Sequence, residues 1–238
     1  MCDRWMPTIQ LPLTLEQFHQ LPRNPDYKYE FLGGRAVLSP NARHYHALLD
    51  LRTLAPPAAE LANVQVRRLE GSDFEELEHV FTASFRSMQP YGSLDEATRL
   101  RAAHDALERA RTGGDGPWIG RASFVTQLDR RITGAIMITL LPKTDPCDWN
   151  SYHWKEPPPH GCIEQRLGRP HLTWIFVAPH LAGHGAGTTL LHAAARELHA
   201  MGYEELLTTF LSSNQSSMLW HWRNGFRLLA HPGTKRRG

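Results

Sequence analysis

The chain has 238 residues, 41% hydrophobic and 21% charged, which is typical of a globular protein with one large domain or one domain plus an appendage. Its formal charge of +2 favours neither a nucleic-acid partner nor a strongly acidic substrate. Three scattered cysteines and dispersed histidines exclude a disulfide framework and predict no metal site. Without a long apolar run or a signal-peptide core, we expect a cytoplasmic protein that does not enter a membrane.

Residues 1–54 are predicted to form an N-terminal appendage. Thr14 is a candidate N-cap with Gln17 as its capping-box partner, which predicts a short helix that ends at Pro22. Two β-prone runs flank Gly33 and Gly34 and predict a β-hairpin from Tyr27 to Pro40. An Ala- and Pro-rich linker is predicted at 55–63.

The appendage resembles the opening segment of the Uma-type, restriction-endonuclease-like nucleases. In that family, a helix with a Leu-Thr-x-Glu-Glu-Phe start precedes a hairpin that ends in Ser-Pro, and a histidine follows. The matching residues here are Leu13, Thr14, Glu16, Phe18, Leu21, Pro22, Tyr29, Glu30, Gly34, Ser39, Pro40 and His44. The resemblance stops before the family's carboxylates and lysine, so a docking or lid function is favoured over the implied nuclease activity.

A larger domain is predicted over 64–232, followed by a basic tail at 233–238. Its first half shows one strand at 64–70, then helices at 72–85 and 94–111 that open at Ser72 or Asp73 and at Ser93. Strands at 118–128 and 132–141 predict an antiparallel hairpin. The Pro-rich segment 142–170, which carries three aromatic residues, predicts a long functional loop.

The most informative stretch runs from His171 to Leu191. It predicts a strand to Val177, then a turn with glycines at 183, 185 and 187, then a helix to Met201. The first-turn amides of a helix lack intrahelical acceptors and lie at the positive end of its dipole, so this stretch predicts a phosphate site. The spacing disfavours a Rossmann fingerprint, and a P-loop would need a Gly-Lys-Ser/Thr sequence, which the chain lacks. A strand at 205–211, a helix at 215–223 and a strand at 226–230 complete the prediction.

Two motifs are similar to those of the GNAT-type acyl-CoA transferases. The first is a V-x-P sequence followed by a glycine loop, and the second is an N-x-x-A-x-x-x-[Y/F] sequence followed by Gly-Phe. They match Val177, Pro179, Gly183, Gly185, Leu190, Asn214, Ser217, His221, Gly225 and Phe226. Over residues 64–230 the resemblance implies a mixed α/β (α+β) fold. This fold has a mostly antiparallel central sheet, flanking helices and a V-shaped splay between the domain's fourth and fifth strands.

The same resemblance implies a function and a cofactor. The expected activity is transfer of acetyl from acetyl-CoA to a primary amine, on a small molecule or a peptide, by direct attack in a ternary complex without a metal. The implied acetyl-CoA contacts are Phe176, Val177, Ala178, Ala182, Gly183, His184, Gly185, Ala186, Gly187, Thr188 and Asn214. Ala182 replaces the family's Gln or Arg, so backbone amides, helped by His180 or His184, must hold the pyrophosphate. GNAT proteins often pair, which leaves a homodimer open.

The catalytic residues are left as alternatives. His221 occupies the position of the family's tyrosine and is either the general acid for the thiolate or a core residue between Trp220 and Trp222. The candidates for the general base are His171, Glu164, and Glu75 or Glu76 on the first helix of the domain. Trp149, Tyr152 and Trp154 are expected to shape the acceptor pocket or a protein interface. The alternative function is a non-catalytic acyl-CoA-binding or protein-interaction module.

Overall fold

The structure is a computed structural model that describes residues 9–22, 27–40, 44–54, 64–88, 91–148, 151–211 and 214–229. Its strands form two sheets, one of three strands and one of seven. Within the described part of the chain, no helix is both long and apolar enough to cross a membrane. No three His, Cys, Asp or Glu side chains of that part converge to hold a metal ion.

The small sheet is built from the N-terminal segment. Its elements are β1 (Ile9–Leu11), α1 (Leu15–His19), β2 (Tyr27–Leu32) and β3 (Arg35–Pro40), with strand order β1-β3-β2. The predicted capping box is present, because Gln17 N donates to Thr14 Oγ1 and Thr14 N donates to Gln17 Oε1. The predicted hairpin turns at Gly33 and Gly34, whose φ angles of 57° and 77° favour glycine. Both local predictions are confirmed.

The large sheet has the strand order β10-β4-β9-β8-β7-β6-β5. Its neighbouring strands are antiparallel except for the parallel pair β8–β9, as predicted for a mixed, mostly antiparallel sheet. The elements that follow the small sheet are β4 (His44–Asp50), β5 (Gln65–Arg68), α2 (Phe74–Ser84), α3 (Glu96–Arg111), β6 (Phe124–Leu128), β7 (Arg131–Pro142), β8 (Gly168–Val177), α4 (Ala186–Ala200), β9 (Glu205–Leu211), α5 (Gln215–Arg223) and β10 (Arg227–Leu228).

The strand β4 belongs to the large sheet, although it lies in the N-terminal segment of the chain. Residues 44–50, predicted to belong to the appendage, instead pair with β9 over seven residues and also with β10. Ala47, Leu49 and Leu51 belong to the main core, so burial against a distant part of the chain determines where this strand lies. The other domain boundaries stay predictions, and the proposed linker 55–63 and tail 233–238 lie outside the described residues.

Helices cover the two faces of the large sheet. One face packs α4 on the central strands, with Leu190, Leu191, Ala194 and Leu198 fully buried or nearly so. The other face packs α2 and α3, through Leu77, Phe81, Ala103, Leu107 and Ala110. The large sheet is therefore the middle layer of the fold, between α4 on one face and α2 and α3 on the other.

One of the two predicted helix starts is shifted, while α2 has its N-cap at Asp73, one of the two predicted positions. The second helix begins at Glu96 rather than near Leu94, because Asp95 is extended and its Oδ1 accepts from Thr98 N at 2.9 Å. Before α2, Asp73 does not cap with its side chain. Its carboxylate instead accepts two bonds from the Arg67 guanidinium, at 2.7 and 2.8 Å, which ties α2 to β5.

Candidate active site

The parallel strands β8 and β9 pair for only two residues. The pairs are His171 with Leu207 and Leu172 with Thr208, after which the strands run on without pairing to Val177 and Leu211. On its other side, β8 stays paired with β7 as far as Val177, and a β-bulge leaves Thr173 opposite no residue of β7. The predicted V-shaped splay is therefore present, and its apex lies at His171, Leu172 and Thr173.

The unpaired edge of β8 presents backbone amides to the splay. Ala178 N donates to Thr133 O, on the β7 side, at 2.7 Å. Because successive residues of a strand point their amides to opposite sides, the N–H of Val177 points away from β7 and toward the splay. The carbonyl of Val177 is occupied, since it accepts from Ser84 Oγ at 2.8 Å. A ligand in the splay would therefore meet amide donors along this edge.

The glycine loop lies between the end of β8 and the start of α4. Gly183 and Gly185 have φ angles of 81° and 96°, and an added Cβ at either one would meet nothing within 4 Å. Backbone conformation rather than space therefore requires glycine at both positions. Helix α4 begins at Ala186, and its first bond runs from Thr189 N to Gly185 O. The amides of the preceding turn have no acceptor within the helix.

The loop residues 178–188 include two histidines and no lysine, arginine or acidic residue. His184 is exposed and its Nδ1 donates to the Ala182 carbonyl at 3.1 Å, while Ala182 itself has an extended backbone. The predicted phosphate contacts of residues 182–188 thus lie on one continuous turn, most of it open to solvent. Whether the histidines add charge to the site stays a prediction.

Helix α5 closes the other side of the site. A Cβ at Gly187 would lie 3.2 Å from Trp220 Nε1 and 3.8 Å from Ile175 Cδ1, so the Trp220 indole of α5 and Ile175 of β8 both pack against the start of α4. Asn214 is the N-cap of α5, and its Oδ1 accepts from Ser217 N at 2.9 Å. Its amide nitrogen is the group that could contact a cofactor.

The structure places His221 inside the core. It is 3% exposed, its ring stacks on Phe210 at 4.4 Å, and Nδ1 donates to the Ser217 carbonyl at 2.7 Å while Nε2 lies 3.1 Å from Thr208 Oγ1. Burial lowers the pKa of His221 to about 4, against the opposing effect of the Ser217 carbonyl. A neutral, enclosed imidazole with both nitrogens bonded favours the core-packing alternative over that of a proton donor.

His171 lies at the apex of the splay. Its Nδ1 is 3.1 Å from Thr173 Oγ1, and its Nε2 is 3.1 Å from Thr209 Oγ1. Burial, with a smaller effect of His46, lowers the pKa of His171 to about 3. The ring is therefore neutral at pH 7, with one nitrogen able to accept a proton.

The three glutamates are not brought to the apex. Glu164 is exposed on the turn 161–167, where Tyr203 Oη donates to Ile163 O and Arg166 reaches Gly202 O. This turn is at the C-terminal end of α4, a helix about 22 Å long, and the glycine loop is at the other end. Glu75 is exposed, and Glu76 binds Arg131 and the Ile132 amide.

The aromatic residues of the long loop have separate positions. Tyr152 packs edge-on against the ring of His46, with 4.7 Å between centroids, and its hydroxyl donates to Pro146 O. Trp154 Nε1 donates to Leu140 O at 2.8 Å, which anchors it to β7. Trp149 lies outside the described residues, so its expected place in an acceptor pocket stays a prediction.

A comparison with known protein families identifies the family of the chain. Residues 94–226 match the family model described as the acetyltransferase (GNAT) family. No curated protein matches the chain.

The solved structures that resemble the chain are distant in sequence. One is the PaiA N-acetyltransferase of Thermoplasma acidophilum in complex with coenzyme A, at 15% identity and a TM-score of 0.50, covering 71% of this chain and 93% of that one. Another is a functionally unknown conserved protein of Staphylococcus epidermidis, at 9% identity and a TM-score of 0.51, covering 78% and 57%. At sequence identities this low, the similarity to these structures shows the fold alone.

Proposed function

Because the chain belongs to the acetyltransferase (GNAT) family, we propose that it transfers an acetyl group from acetyl-CoA to a primary amine of a small molecule or a peptide. One observation carries the proposal: the β8–β9 pairing ends after two residues, and beyond the end of β8 the glycine loop leads into the start of α4, whose first-turn amides have no acceptor within the helix. The splay offers room for an extended ligand, and the loop offers donors for its phosphates.

In the proposed complex, the pyrophosphate of acetyl-CoA binds the amides of residues 183–188, where positive-φ glycines let the backbone approach it. The pantetheine arm lies along β8 and receives a bond from Val177 N–H. The amide nitrogen of Asn214 contacts the arm from the α5 side. Support comes from the Thermoplasma structure, which has the same fold and holds coenzyme A.

The proposed chemistry is a direct transfer. The nitrogen of a neutral amine attacks the thioester carbonyl, an N–H of the β8 edge stabilises the oxyanion, and the carbon–sulfur bond then breaks. Among the candidates from the sequence, His171 is the one at the apex, so we assign it the proton that leaves the amine. The thiolate takes its proton from water, because His221 is neutral and enclosed.

The test combines binding with turnover. Isothermal titration with acetyl-CoA measures affinity, and thiol release measures turnover over a panel of polyamines, aminoglycosides, amino acids and peptide amines. We expect micromolar binding and release of coenzyme A with at least one amine class. Binding without release from any of them would favour the acyl-CoA-binding alternative, and no binding would favour an interaction module.

A further inference from the structure

A line of hydrogen bonds crosses four strands at the apex of the splay. His46 Nδ1 on β4 lies 2.9 Å from Thr209 Oγ1 on β9, which lies 3.1 Å from His171 Nε2 on β8. The line continues from His171 Nδ1 to Thr173 Oγ1 at 3.1 Å, and from there to Thr139 Oγ1 on β7 at 2.8 Å. It ends where Thr139 Oγ1 donates to the backbone carbonyl of Asp115 at 2.9 Å.

The Asp115 carbonyl sets the direction of the whole line, because a carbonyl only accepts. The Thr139 hydroxyl donates its one proton to this carbonyl, so in the bond between the two threonines the Thr173 hydroxyl must donate to Thr139. The 3.4 Å contact of Thr173 Oγ1 with the His171 carbonyl is too long to compete for that proton. Thr173 in turn accepts from His171, whose ring must therefore carry its proton on Nδ1.

The donors and acceptors between His171 and His46 are determined in the same way. A neutral imidazole protonated on Nδ1 has an accepting Nε2, so the Thr209 hydroxyl donates to His171. Thr209 then has no second proton to give, and His46 Nδ1 must donate to Thr209. His46 is 6% exposed and Thr139 is fully buried, which shields these bonds from exchange with solvent.

We propose that His46 is a positioning residue for acetyl transfer, because its Nδ1–H holds the Thr209 hydroxyl on His171 Nε2 and so keeps His171 in the Nδ1–H tautomer. This inference rests on the proposed function. Thr209 Oγ retains one lone pair, which receives an N–H of the attacking amine. The amine proton moves to Thr209 Oγ while the Thr209 proton moves to His171 Nε2, so Thr209 is unchanged and His171 gains one proton.

The N-terminal segment thereby contributes to the active site. His46 lies on β4 between Tyr152, whose ring packs against it, and Thr209. Among the described residues, His46 is the charged or titratable group that affects the pKa of His171. The long loop therefore covers the outer end of the line, and β4 supplies the residue that orients it.

The first experiment reads the tautomer directly and needs no turnover. In ¹⁵N-labelled protein, the ring nitrogens of His171 should report a neutral ring protonated on Nδ1. His46→Leu should abolish the single tautomer, whereas His46→Asn, whose side-chain N–H can replace Nδ1–H, should keep it. A wild-type His171 protonated on Nε2, or a mixture, would overturn the proposal whether or not the protein is an enzyme.

The second experiment uses kinetics. We expect His46→Leu to lower kcat roughly 10- to 100-fold and to alter the pH profile of kcat, with the KM for acetyl-CoA within about twofold. Thr209→Val should behave alike, while His46→Asn and Thr209→Ser should retain kcat within about threefold. Leu48→Ala, on the same face of β4 in the cluster with Leu141 and Leu207, controls for lost stability and should leave kcat unchanged.

These outcomes separate the two claims. An unchanged kcat and pH profile in His46→Leu would overturn the positioning claim while the transferase proposal stands. Equal losses in His46→Leu and Leu48→Ala would also overturn it, since they would report folding alone. Failure of every amine in the turnover screen would defeat the proposed function, and the ring-nitrogen measurement would still decide the tautomer.

Discussion

The two ends of the candidate site are built in different ways. The proposed cofactor end is made of backbone from one continuous turn, in which Gly183 and Gly185 adopt positive φ before α4 begins. The proposed acceptor end is made of side chains from four strands, and His46 and Thr209 are 163 positions apart in the chain. Binding by the backbone amides of the loop should tolerate most substitutions that keep the backbone conformation. The hydrogen bonds between side chains at the other end should be lost when any one of those side chains is replaced.

The largest expected effect comes from forcing a branched side chain into the loop. Gly185→Val should weaken acetyl-CoA binding by about 10- to 100-fold, since a non-glycine residue at this φ of 96° costs about 1–3 kcal/mol or rebuilds the loop. Isothermal titration measures the affinity, with S-acetylpantetheine as a ligand that lacks the pyrophosphate and should bind as before.

Gly113→Val is the matched control for that variant. Gly113 has a φ of 90° at the end of α3, outside the glycine loop, so a valine there causes similar backbone strain without contacting the candidate site. Equal losses of acetyl-CoA affinity in the two variants would mean that strain anywhere, rather than the loop itself, weakens binding.

The second prediction concerns His221 and pH. Its folded pKa of about 4 lies below the ordinary value of 6.5, so the unfolded chain binds more protons between these values. This contribution to stability is complete above pH 6.5 and falls as pH drops toward 4. Between pH 7 and pH 5 it amounts to about 2 kcal/mol, which His221→Phe should remove from the pH dependence of urea unfolding.

The same variant tests the catalytic alternative. His221→Phe removes the imidazole bonds to Thr208 Oγ1 and to the Ser217 carbonyl, so we expect it to lose about 1–3 kcal/mol of stability at pH 7. Its kcat, measured below the new unfolding temperature, should stay within about threefold of the wild type. A fall of more than about 10-fold with stability intact would return the general-acid assignment to His221.

The smallest effect is expected at Asn214. Asn214→Asp keeps an oxygen for the Ser217 amide, so the cap and the stability should hold within about 0.5 kcal/mol, but the amide donor is lost. Acetyl-CoA affinity should fall about 3- to 10-fold, in line with one hydrogen bond. Asn214→Ala should instead cost about 1 kcal/mol of stability as well. Unaltered affinity in Asn214→Asp would limit Asn214 to its cap.

The predictable parts of the fold have local signals. The capping box at Thr14, the hairpin at Gly33 and Gly34, and the strand–glycine–helix stretch after Val177 each depend on neighbouring residues, and all three appear in the structure. The membership of β4 in the large sheet depends on pairing with β9, which lies far along the chain. No local pattern in residues 44–50 distinguishes that partner from the preceding hairpin.

The candidate site likewise has parts that depend on neighbouring residues and parts that depend on distant ones. The loop residues 183–188 lie together because they are consecutive, and His171 lies at the apex because it is on β8, the strand that leads into this loop. His46 and Thr209 were missed because their meeting depends on the register of β4 against β9, which no pattern within either segment reveals. For His221 the position was predicted, but its burial beside Phe210 and Phe226 was a property of the packed core.

The most direct test of the central claim is to map coenzyme A onto the backbone by amide resonances of labelled protein. We expect the amides of residues 183–188 and of Val177 to change most, and the amides around Gly33 and Thr98, near the small sheet, to stay unchanged. Changes confined to the small sheet and α3, with the glycine loop and the β8 edge unmoved, would contradict the claim that the splay is the acetyl-CoA site.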